Sequence, residues 1–285
     1  MLTAFVFLII LNYNFIMLGY HVSIDDVKNL KYIEGLESAQ IFLTNRMLHA
    51  PPNAFEILKK LLLKKELTNE EKKNSFYINI TATIKFIKYF KIKVLIIHAS
   101  YTTQLFSTKD DVFMKSLQDV YFYTSCCKVI ERETKAKAYY NIHLPKKTSK
   151  IRNNELSKLF TKTKKYLLLE TETDSPIPEF VESCELNLCF DTAHVSASGK
   201  DIISTFKSLR KIIACIHLNG NMLEVGSKRD KHCAFNDKEN KVPKLEEFIK
   251  YISHFNLPII LERGVEIPSN EIKKIQQIWT ILLSQ

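Results

Sequence analysis

Six short apolar runs of this chain each end in a histidine or a carboxylate, residue types that can bind metals and move protons. In chain order these end residues are His98, His143, Glu170, Asp191, His217 and Glu262. Taken singly, a histidine after a strand is more often a hydrogen-bonded core residue, but six such ends in succession favour a shared site. Three carboxylates and three imidazoles would be desolvated together at high cost, and divalent cations would offset that cost. Imidazole with carboxylate, and no cysteine among the six, indicates zinc or manganese.

Three loop residues extend this set of candidate ligands. His194 follows Asp191 by three residues, and Asp230 and His232 form an Asp-x-His pair in the loop after His217. The nine candidates include five of the eight histidines of the chain. Nine ligands are too many for one four-coordinate ion, so we expect two or three ions. Closely spaced zinc ions suit phosphodiester hydrolysis, because they lower the pKa of water and stabilise the attacking and leaving oxygens.

The apolar runs that carry these residues have the length of strands and are nearly continuous in apolar character, as is typical of parallel strands covered on both faces. Eight such runs lie at residues 15–22, 39–43, 94–99, 138–143, 166–170, 186–191, 212–218 and 257–262. Amphipathic helical patterns lie between them, for example at 54–65, 115–131, 201–209 and 245–255. This alternation predicts an α/β fold, a TIM (β/α)8 barrel, with its active site at the carboxyl ends of the strands. A doubly wound sheet is the alternative.

The composition of the 285 residues is that of a folded protein, because 46% are hydrophobic and 25% are charged. A disordered or collagen-like chain is thereby excluded. The 41 lysines and arginines exceed the 31 acids by 10, which favours a polyanionic partner such as nucleic acid. The charged stretch 59–74 is interpreted as a solvated helical face. The six cysteines form no C-x-x-C pair, so we expect reduced, mostly buried thiols in an intracellular protein that is not secreted.

The N-terminal residues 1–16 are apolar and uncharged. They lack the basic region and the cleavage site of a secretory signal. Asn12 and Asn14 interrupt the apolar run, so it offers no uninterrupted bilayer span of about 20 residues. A buried extension, a true start at Met17 and a membrane anchor are the open interpretations. We treat 1–16 as an apolar extension and 17–285 as a single domain, and expect folding not to require the extension.

The motifs of the chain resemble those of the endonuclease IV family of apurinic/apyrimidinic (AP) endonucleases. The most specific ones are Phe190-Asp191-Thr192-Ala193-His194 with Ser198-Gly199, Ile216-His217-Leu218-Asn219, Gly226-Ser227-x-x-Asp230-x-His232 and Ile260-Leu261-Glu262. Gly19-Tyr20-His21-Val22-Ser23 resembles the first strand of the family, and His98-Ala99-Ser100-Tyr101 its third-strand loop. The resemblance spans residues 17–265 but is poor at 50–93. The Asp-Thr-Ala-His form and the Leu-Glu-Arg ending are closer to versions from large DNA viruses than to bacterial ones.

The resemblance implies a TIM barrel with three zinc ions that incises double-stranded DNA 5′ to an abasic site in base excision repair, leaving a 3′-hydroxyl, with 3′-end trimming as a second activity. It places His98, His143 and Glu170 on the first ion. Glu170 bridges to a second ion, which Asp191, His217 and Glu262 also hold. His194, Asp230 and His232 hold the third. We expect Glu262 and Glu170 to be catalytic, Mn²⁺ to be accepted at one site, and the protein to act as a monomer without an obligatory protein partner.

Two residues match positions that contact DNA in the family. Tyr101 matches a loop residue that enters the duplex at the lesion, and Arg46 matches, with a one-residue shift, an arginine that probes the duplex. Three features depart from the family pattern. Gly220 replaces an aspartate, Cys233-Ala234-Phe235-Asn236-Asp237 replaces a glycine-rich turn, and Leu144-Pro145-Lys146-Lys147 replaces a small-residue loop.

Two other functions are consistent with parts of the pattern. A metal-dependent sugar isomerase or epimerase uses a related barrel, but it relies chiefly on carboxylates and holds fewer ions, so the five histidines favour the nuclease. A non-catalytic DNA-binding protein would suit the basic charge, but it would leave nine aligned ligands without a purpose.

Overall fold

The chain folds into a closed barrel of eight parallel strands, seen in a computed structural model that describes residues 17–28, 37–44, 46–144, 153–173, 186–263 and 269–283. The barrel strands are Leu18–His21 (β1), Ser38–Ile41 (β2), Val94–His98 (β3), Lys137–His143 (β4), Leu167–Glu170 (β5), Asn187–Asp191 (β6), Ile213–His217 (β7) and Ile259–Leu261 (β10). They are ordered β1-β10-β7-β6-β5-β4-β3-β2 around the barrel. Gly220–Asn221 (β8) and His232–Cys233 (β9) form a separate antiparallel hairpin after β7. The predicted TIM barrel is confirmed, and each predicted run contributes one barrel strand.

Helices follow most of the strands and pack outside the barrel. In the described residues they are Ile24–Lys28 (α1), Pro52–Leu62 (α2), Asn69–Lys72 (α3), Ser75–Phe90 (α4), Asp110–Thr134 (α5), Asn153–Thr163 (α6), Thr192–Ala197 (α7), Ile202–Leu209 (α8), Leu245–Ile252 (α9) and Ser269–Leu283 (α10). The four helical patterns predicted from the sequence correspond to α2, α5, α8 and α9. The charged stretch 59–74 comprises the end of α2 and the short α3, and most of its side chains are exposed.

The barrel interior is filled by small and branched apolar side chains from five of the strands. These side chains form one buried cluster of Val94, Ile96, Leu168, Cys189, Cys215 and Ile260. A filled interior leaves space for chemistry only at the strand ends, above this layer. Cys189 and Cys215 are neighbours across β6 and β7. They and the other three described cysteines are buried free thiols, as expected, and Cys184 lies outside the described residues.

The apolar extension 1–16 lies outside the described residues, so its role stays a prediction. From Met17 onward the first strand is already held, because the Met17 carbonyl accepts hydrogen bonds from Ser38 Oγ at 2.8 Å and from the Ile259 amide at 2.8 Å. A chain starting at Met17 is therefore expected to be soluble and active, which expression and an activity assay of the truncated protein would check. Aggregation or loss of activity would make the extension part of the core or an anchor. Among the described helices, none is both long enough and apolar enough to cross a membrane.

Candidate metal centre

All nine candidate ligands meet at one end of the barrel, above the carboxyl ends of the strands. Glu170, fully buried, lies at their centre. Its carboxylate oxygens are 3.2 Å from His217 Nδ1, 3.6 Å from His194 Nδ1, 3.7 Å from His98 Nε2 and 3.8 Å from His143 Nε2. Glu262 reaches the same cluster from β10, with its oxygens 3.3 Å from His217 Nδ1 and 3.8 Å from His232 Nδ1. The fold thus brings together the residues that the strand-end pattern singled out.

The Asp-Thr-Ala-His motif forms a strand-to-helix junction that places two of the candidates. Asp191 ends β6 in an extended conformation and caps α7, because its Oδ1 accepts a hydrogen bond from the His194 amide at 2.9 Å. The cap occupies one carboxylate oxygen and leaves Oδ2 directed at the cluster, 3.8 Å from His217 Nδ1. The first turn of α7 brings the buried His194 over the barrel mouth.

The β8–β9 hairpin places the Asp-x-His pair above the barrel. Asn221 holds the intervening loop, since its Oδ1 accepts from the Lys231 amide at 2.9 Å and its Nδ2 donates to the Arg229 carbonyl at 3.2 Å. Asp230 Oδ2 then lies 3.5 Å from His232 Nε2 and 3.8 Å from His194 Nε2. The two loop residues therefore close the cluster from above.

Gly220 is required by the close approach of the segment that follows β9. A Cβ at this position would lie 2.8 Å from the Ala234 carbonyl oxygen and 2.8 Å from Asn240 Oδ1. The altered segment after His232 explains this contact, because Asn240 Nδ2 donates to the Phe235 carbonyl at 3.0 Å and folds the segment back on β8. The two departures from the family pattern, at Gly220 and at residues 233–237, are thus structurally linked.

Three histidines have their tautomers set by acceptors that bind Nδ1. His98 Nδ1 donates to the Ala99 carbonyl at 2.8 Å, His143 Nδ1 to Glu172 Oε2 at 3.0 Å, and His194 Nδ1 to the Thr171 carbonyl at 2.6 Å. Since a neutral imidazole carries one proton, the Nε2 atom of each is left as a lone-pair donor. Such partners orient metal-binding histidines and raise their basicity.

His217 has the opposite tautomer because of Gln40. The amide oxygen of Gln40 lies 2.9 Å from His217 Nε2 and can only accept, so Nε2 carries the proton. The amide nitrogen of Gln40 donates to Glu262 Oε1, which sets the orientation of the amide. His217 Nδ1 is thereby left facing Glu170 and Glu262.

The donor set fits divalent cations. The described residues contain five groups whose ligand atoms lie within 4.8 Å of one another, and three of them consist of the candidate ligands alone: His98 with His143 and Glu170; Glu170 with Asp191, His217 and Glu262; and Asp191 with His194 and His232. The other two add Glu172 to His143 and His194, and Cys189 and Cys215 to His217. Two ligands on a tetrahedral zinc ion are about 3.4 Å apart, close to the nitrogen–oxygen distances of 3.2–3.9 Å between these histidines and carboxylates. Within the described part of the chain, the buried His232 Nε2 has no hydrogen-bond partner. A cation would satisfy it.

The carboxylates and imidazoles strongly shift one another's pKa values. Burial lowers the pKa of His217, but Glu262 and Glu170 outweigh it and raise that pKa well above its usual value. Burial also disfavours the charged form of His194, yet Asp191 and Asp230 raise its pKa. Burial raises the pKa of Glu262, but His217 outweighs this effect and lowers the pKa well below its usual range. The protein groups alone therefore hold protons where a cation would bind.

Cation binding is expected to release protons and to strengthen as the pH rises. A coordinating imidazole nitrogen must be unprotonated, so a cation has to displace the protons of His194 and His217. Because the pKa values of both are raised well above the usual value of a histidine, this displacement becomes easier as the pH rises beyond that usual value. Titration of the metal-stripped protein with Zn²⁺ in weakly buffered solution would measure the protons released. An affinity independent of pH, with no proton release, would contradict a role for these two imidazoles.

Several residues of the centre escaped the sequence analysis. Glu172 binds His143; burial raises its pKa, but this hydrogen bond and the nearby His194 lower it to about 2. In the sequence, the one signal for Glu172 is its position two residues after Glu170, which places both side chains on the same face of an extended chain. Gln40 had no signal of its own. His21 was noted only as part of the first-strand motif; it lines the cleft, and burial together with His98 lowers its pKa to about 4.

Tyr101 and Arg46 lie side by side on the rim of the cleft that opens onto the centre. The cleft has a volume of about 600 Å³, and both side chains line it. The Arg46 carbonyl accepts from the Tyr101 amide at 2.9 Å and from Ser100 Oγ at 2.9 Å, which ties the loops after β2 and β3 together. Tyr101 is 55% exposed. Lys146 and Lys147, in the segment after β4 that departs from the family pattern, lie outside the described residues.

Comparison with known proteins supports the resemblance to endonuclease IV. No protein family model matches the chain. A protein named probable endonuclease 4 from Haloquadratum walsbyi is 26% identical over 201 residues, covering 59% of this chain and 69% of the relative. The crystal structure of endonuclease IV from Thermus thermophilus superposes with a TM-score of 0.62 at 17% identity, covering 92% of this chain and 98% of that one. The resemblance expected from the motifs is confirmed.

An epimerase has the same fold. The structure of 3-keto-D-glucoside 4-epimerase from E. coli superposes with a TM-score of 0.55 at 11% identity, covering 93% of this chain and 99% of that one. The barrel alone therefore does not separate a nuclease from a sugar epimerase, and the residues of the centre have to decide.

Proposed function

We propose that this chain is a zinc-dependent AP endonuclease that hydrolyses the phosphodiester 5′ to an abasic site in double-stranded DNA and leaves a 3′-hydroxyl. The observation that carries this proposal is the convergence of nine ligand side chains, five of them imidazoles, at the end of the barrel where the strands finish. The relative named probable endonuclease 4 and the fold of endonuclease IV support it. Base excision repair as the setting, an intracellular location, action as a monomer and a 3′-end trimming activity are parts of the same proposal.

The proposed ligands form three sets. His98, His143 and Glu170 hold one zinc ion, Glu170, Asp191, His217 and Glu262 a second, and His194, Asp230 and His232 a third, with Mn²⁺ accepted at one of them. When bound, such cations supply Lewis acidity, which activates water and stabilises negative charge on phosphodiester oxygens. Glu170 and Glu262 are the proposed catalytic residues, because these two carboxylates contact the largest number of the imidazoles.

The two sides of the cleft differ in a way that suits damaged DNA. On one side the loops after β2 and β3 expose Tyr101 and Leu48 beside Arg46. On the opposite side of the barrel, the loop after β7 exposes Lys228, Arg229 and Lys231 around the Asp-x-His pair. Basic side chains bind phosphates without reading sequence, and apolar side chains can enter a weakened base stack.

The function is tested by incubating the purified protein with an oligonucleotide duplex that carries one abasic analogue. A single cut directly 5′ to the analogue is expected, with a product that a DNA polymerase extends. The same duplex with an intact base should stay uncut. Elemental analysis near three zinc ions per chain would distinguish this enzyme from an epimerase with fewer ions. No cut at the analogue in the zinc-loaded protein would overturn the proposal.

Replacing Tyr101 by Ala is expected to weaken binding to abasic duplex much more than binding to intact duplex. An abasic site lacks one base, so a side chain that fills the gap gains stacking contacts only there. The zinc content should not change, because Tyr101 lies above the centre. Fluorescence anisotropy with both duplexes measures the difference.

The exposed Tyr89, near the end of α4 at the opposite end of the barrel, provides the matched control. Tyr89→Ala should bind both duplexes as the unaltered protein does. Equal losses on both duplexes in Tyr101→Ala would make Tyr101 a general DNA contact, and no loss would make it a packing residue of the barrel rim.

A further inference from the structure

Arg263 follows Glu262 directly, and its guanidinium group is almost fully used in hydrogen bonds. Nε donates to Glu271 Oε2 at 2.8 Å, and Nη2 donates to Glu271 Oε1, which makes a bidentate ion pair. Nη1 donates to Asn219 Oδ1 at 2.9 Å and to the Glu262 carbonyl at 3.0 Å. The side chains of Arg263 and Glu271 are only 13% and 4% exposed. A guanidinium held at both ends has one available position.

Asn219 connects this arginine to the metal centre. Its Oδ1 accepts from Arg263 Nη1 and, at 3.1 Å, from the Glu262 amide. Its Nδ2 donates to Asp191 Oδ2 at 2.7 Å and to Glu262 Oε2 at 3.2 Å. The fully buried amide therefore binds two of the candidate ligand carboxylates on one side and Arg263 on the other.

Arg263 decides which way this amide points. Guanidinium nitrogens donate and never accept, so the oxygen of Asn219 has to face Arg263 and its NH₂ group has to face the carboxylates. The reversed amide would set donors against donors on one side and oxygens against two carboxylates on the other. Asn219 Oδ1 accepts from two donors in these contacts, Arg263 Nη1 and the Glu262 amide. Without Arg263, the Glu262 amide would be the one donor of the two left to hold the oxygen in this orientation.

Glu271 keeps the positive charge of Arg263 from competing for the ligands. It neutralises the guanidinium from α10 and also accepts a hydrogen bond from the Phe235 amide at 2.9 Å, in the segment after His232. Arg263 bonds to the backbone carbonyl of Glu262, and within the described residues it makes no hydrogen bond to the Glu262 carboxylate. The carboxylates of Asp191 and Glu262 thus keep their negative charge for a cation.

We propose that Arg263 is a positioning residue, which through Asn219 holds the carboxylates of Asp191 and Glu262 in the orientation that binds a cation. The inference rests on the proposed metal centre and adds to it a role for a residue outside the nine ligands. The guanidinium fork is needed, because Asn219 and Glu271 lie on different sides of it. A lysine would carry the charge but would not make both contacts.

The test measures zinc affinity in Arg263→Gln and Arg263→Lys by competition with a chromogenic chelator, beside the zinc content after dialysis. Both variants are expected to bind their weakest zinc ion about tenfold to a hundredfold less tightly. Arg132→Gln is the matched control, since Arg132 makes a similar set of bonds with the Leu61 and Leu62 carbonyls and Glu133, far from the centre. Its zinc affinity should be unchanged.

Two further variants separate positioning from general stability. Glu271→Gln keeps the shape of the Arg263 partner and should lower zinc affinity in the same direction by a smaller factor. Asn219→Ala should lower it as well, and adding Arg263→Gln to Asn219→Ala should cost little more, because both act through one amide. Thermal unfolding of the metal-stripped variants shows whether each is folded.

The outcomes distinguish this inference from the proposed function. Unaltered protein that binds no zinc would overturn the metal centre and this inference with it. Unaltered protein that binds zinc, with Arg263→Gln binding equally well, would overturn the positioning role alone. Full affinity in Arg263→Lys would also overturn it, because charge without the fork would then suffice.

Discussion

Replacing Glu262 or Glu170 by Gln is expected to lower the rate of cleavage at an abasic site by several orders of magnitude while binding to the duplex survives. Gln has nearly the same shape as Glu but lacks the negative charge, and a neutral amide oxygen is a weaker ligand for a divalent cation. Glu170 lies within 4 Å of four imidazoles and Glu262 within 4 Å of three, so the charge is removed at the middle of the cluster. DNA affinity should persist because the basic side chains proposed to contact phosphates lie on the surrounding loops.

Single-turnover cleavage and anisotropy on the same abasic duplex measure the two quantities. Glu131→Gln is the matched control, because Glu131, on the outer helix α5, pairs with Lys165 in the turn after α6 and should leave cleavage unchanged. Unreduced cleavage in Glu262→Gln or Glu170→Gln would remove that residue from the proposed catalytic pair. A parallel loss of duplex binding would indicate a damaged fold instead.

Stripping the protein with a chelator is expected to abolish cleavage and to lower the midpoint of thermal unfolding by about 10 °C or more. A ligand that binds only the folded state at about a thousand times its Kd contributes about 4 kcal/mol, and several ions would add their contributions. In the metal-stripped protein, the four candidate carboxylates would have only protonated histidines to balance their negative charge. Returning Zn²⁺ should restore both cleavage and stability.

Calorimetry before and after stripping, with elemental analysis of the metal content, measures this effect. Restoration by Zn²⁺ but not by Mg²⁺ is expected, because Mg²⁺ prefers oxygen ligands and an octahedral geometry. Cleavage that persists in metal-free protein would contradict a metal-dependent enzyme. An unchanged unfolding midpoint would show that bound cations do not contribute to the stability of the folded protein.

Most of the fold was determined by local sequence patterns. Each continuous apolar run supplied one barrel strand, since residues buried on both faces have to be apolar whatever they pack against. Some helices were harder to predict. The pattern of α4 is apolar over much of its surface, with buried residues such as Phe76, Ile80 and Phe86, and its sequence shows no clean polar face.

The nine candidate ligands could also be predicted from the sequence. In a parallel barrel all strands end on the same side, so a residue that ends a strand has its place set by topology alone. His98, Asp191 and Glu262 needed no tertiary information beyond the fold class. The short motifs around Asp191 and His232 determined their own local geometry through a helix cap and a hairpin.

What only the tertiary structure decided is the hydrogen-bonded layer behind those ligands. Gln40 sets the tautomer of His217 from 177 positions away, and Arg263 sets the amide of Asn219 from 44 positions away. These side chains have no periodicity and no motif of their own, since a glutamine within a strand or an arginine after one has many ordinary uses. Their roles depend on which donor faces which acceptor, and that is settled only when strands distant in sequence become neighbours in the closed barrel.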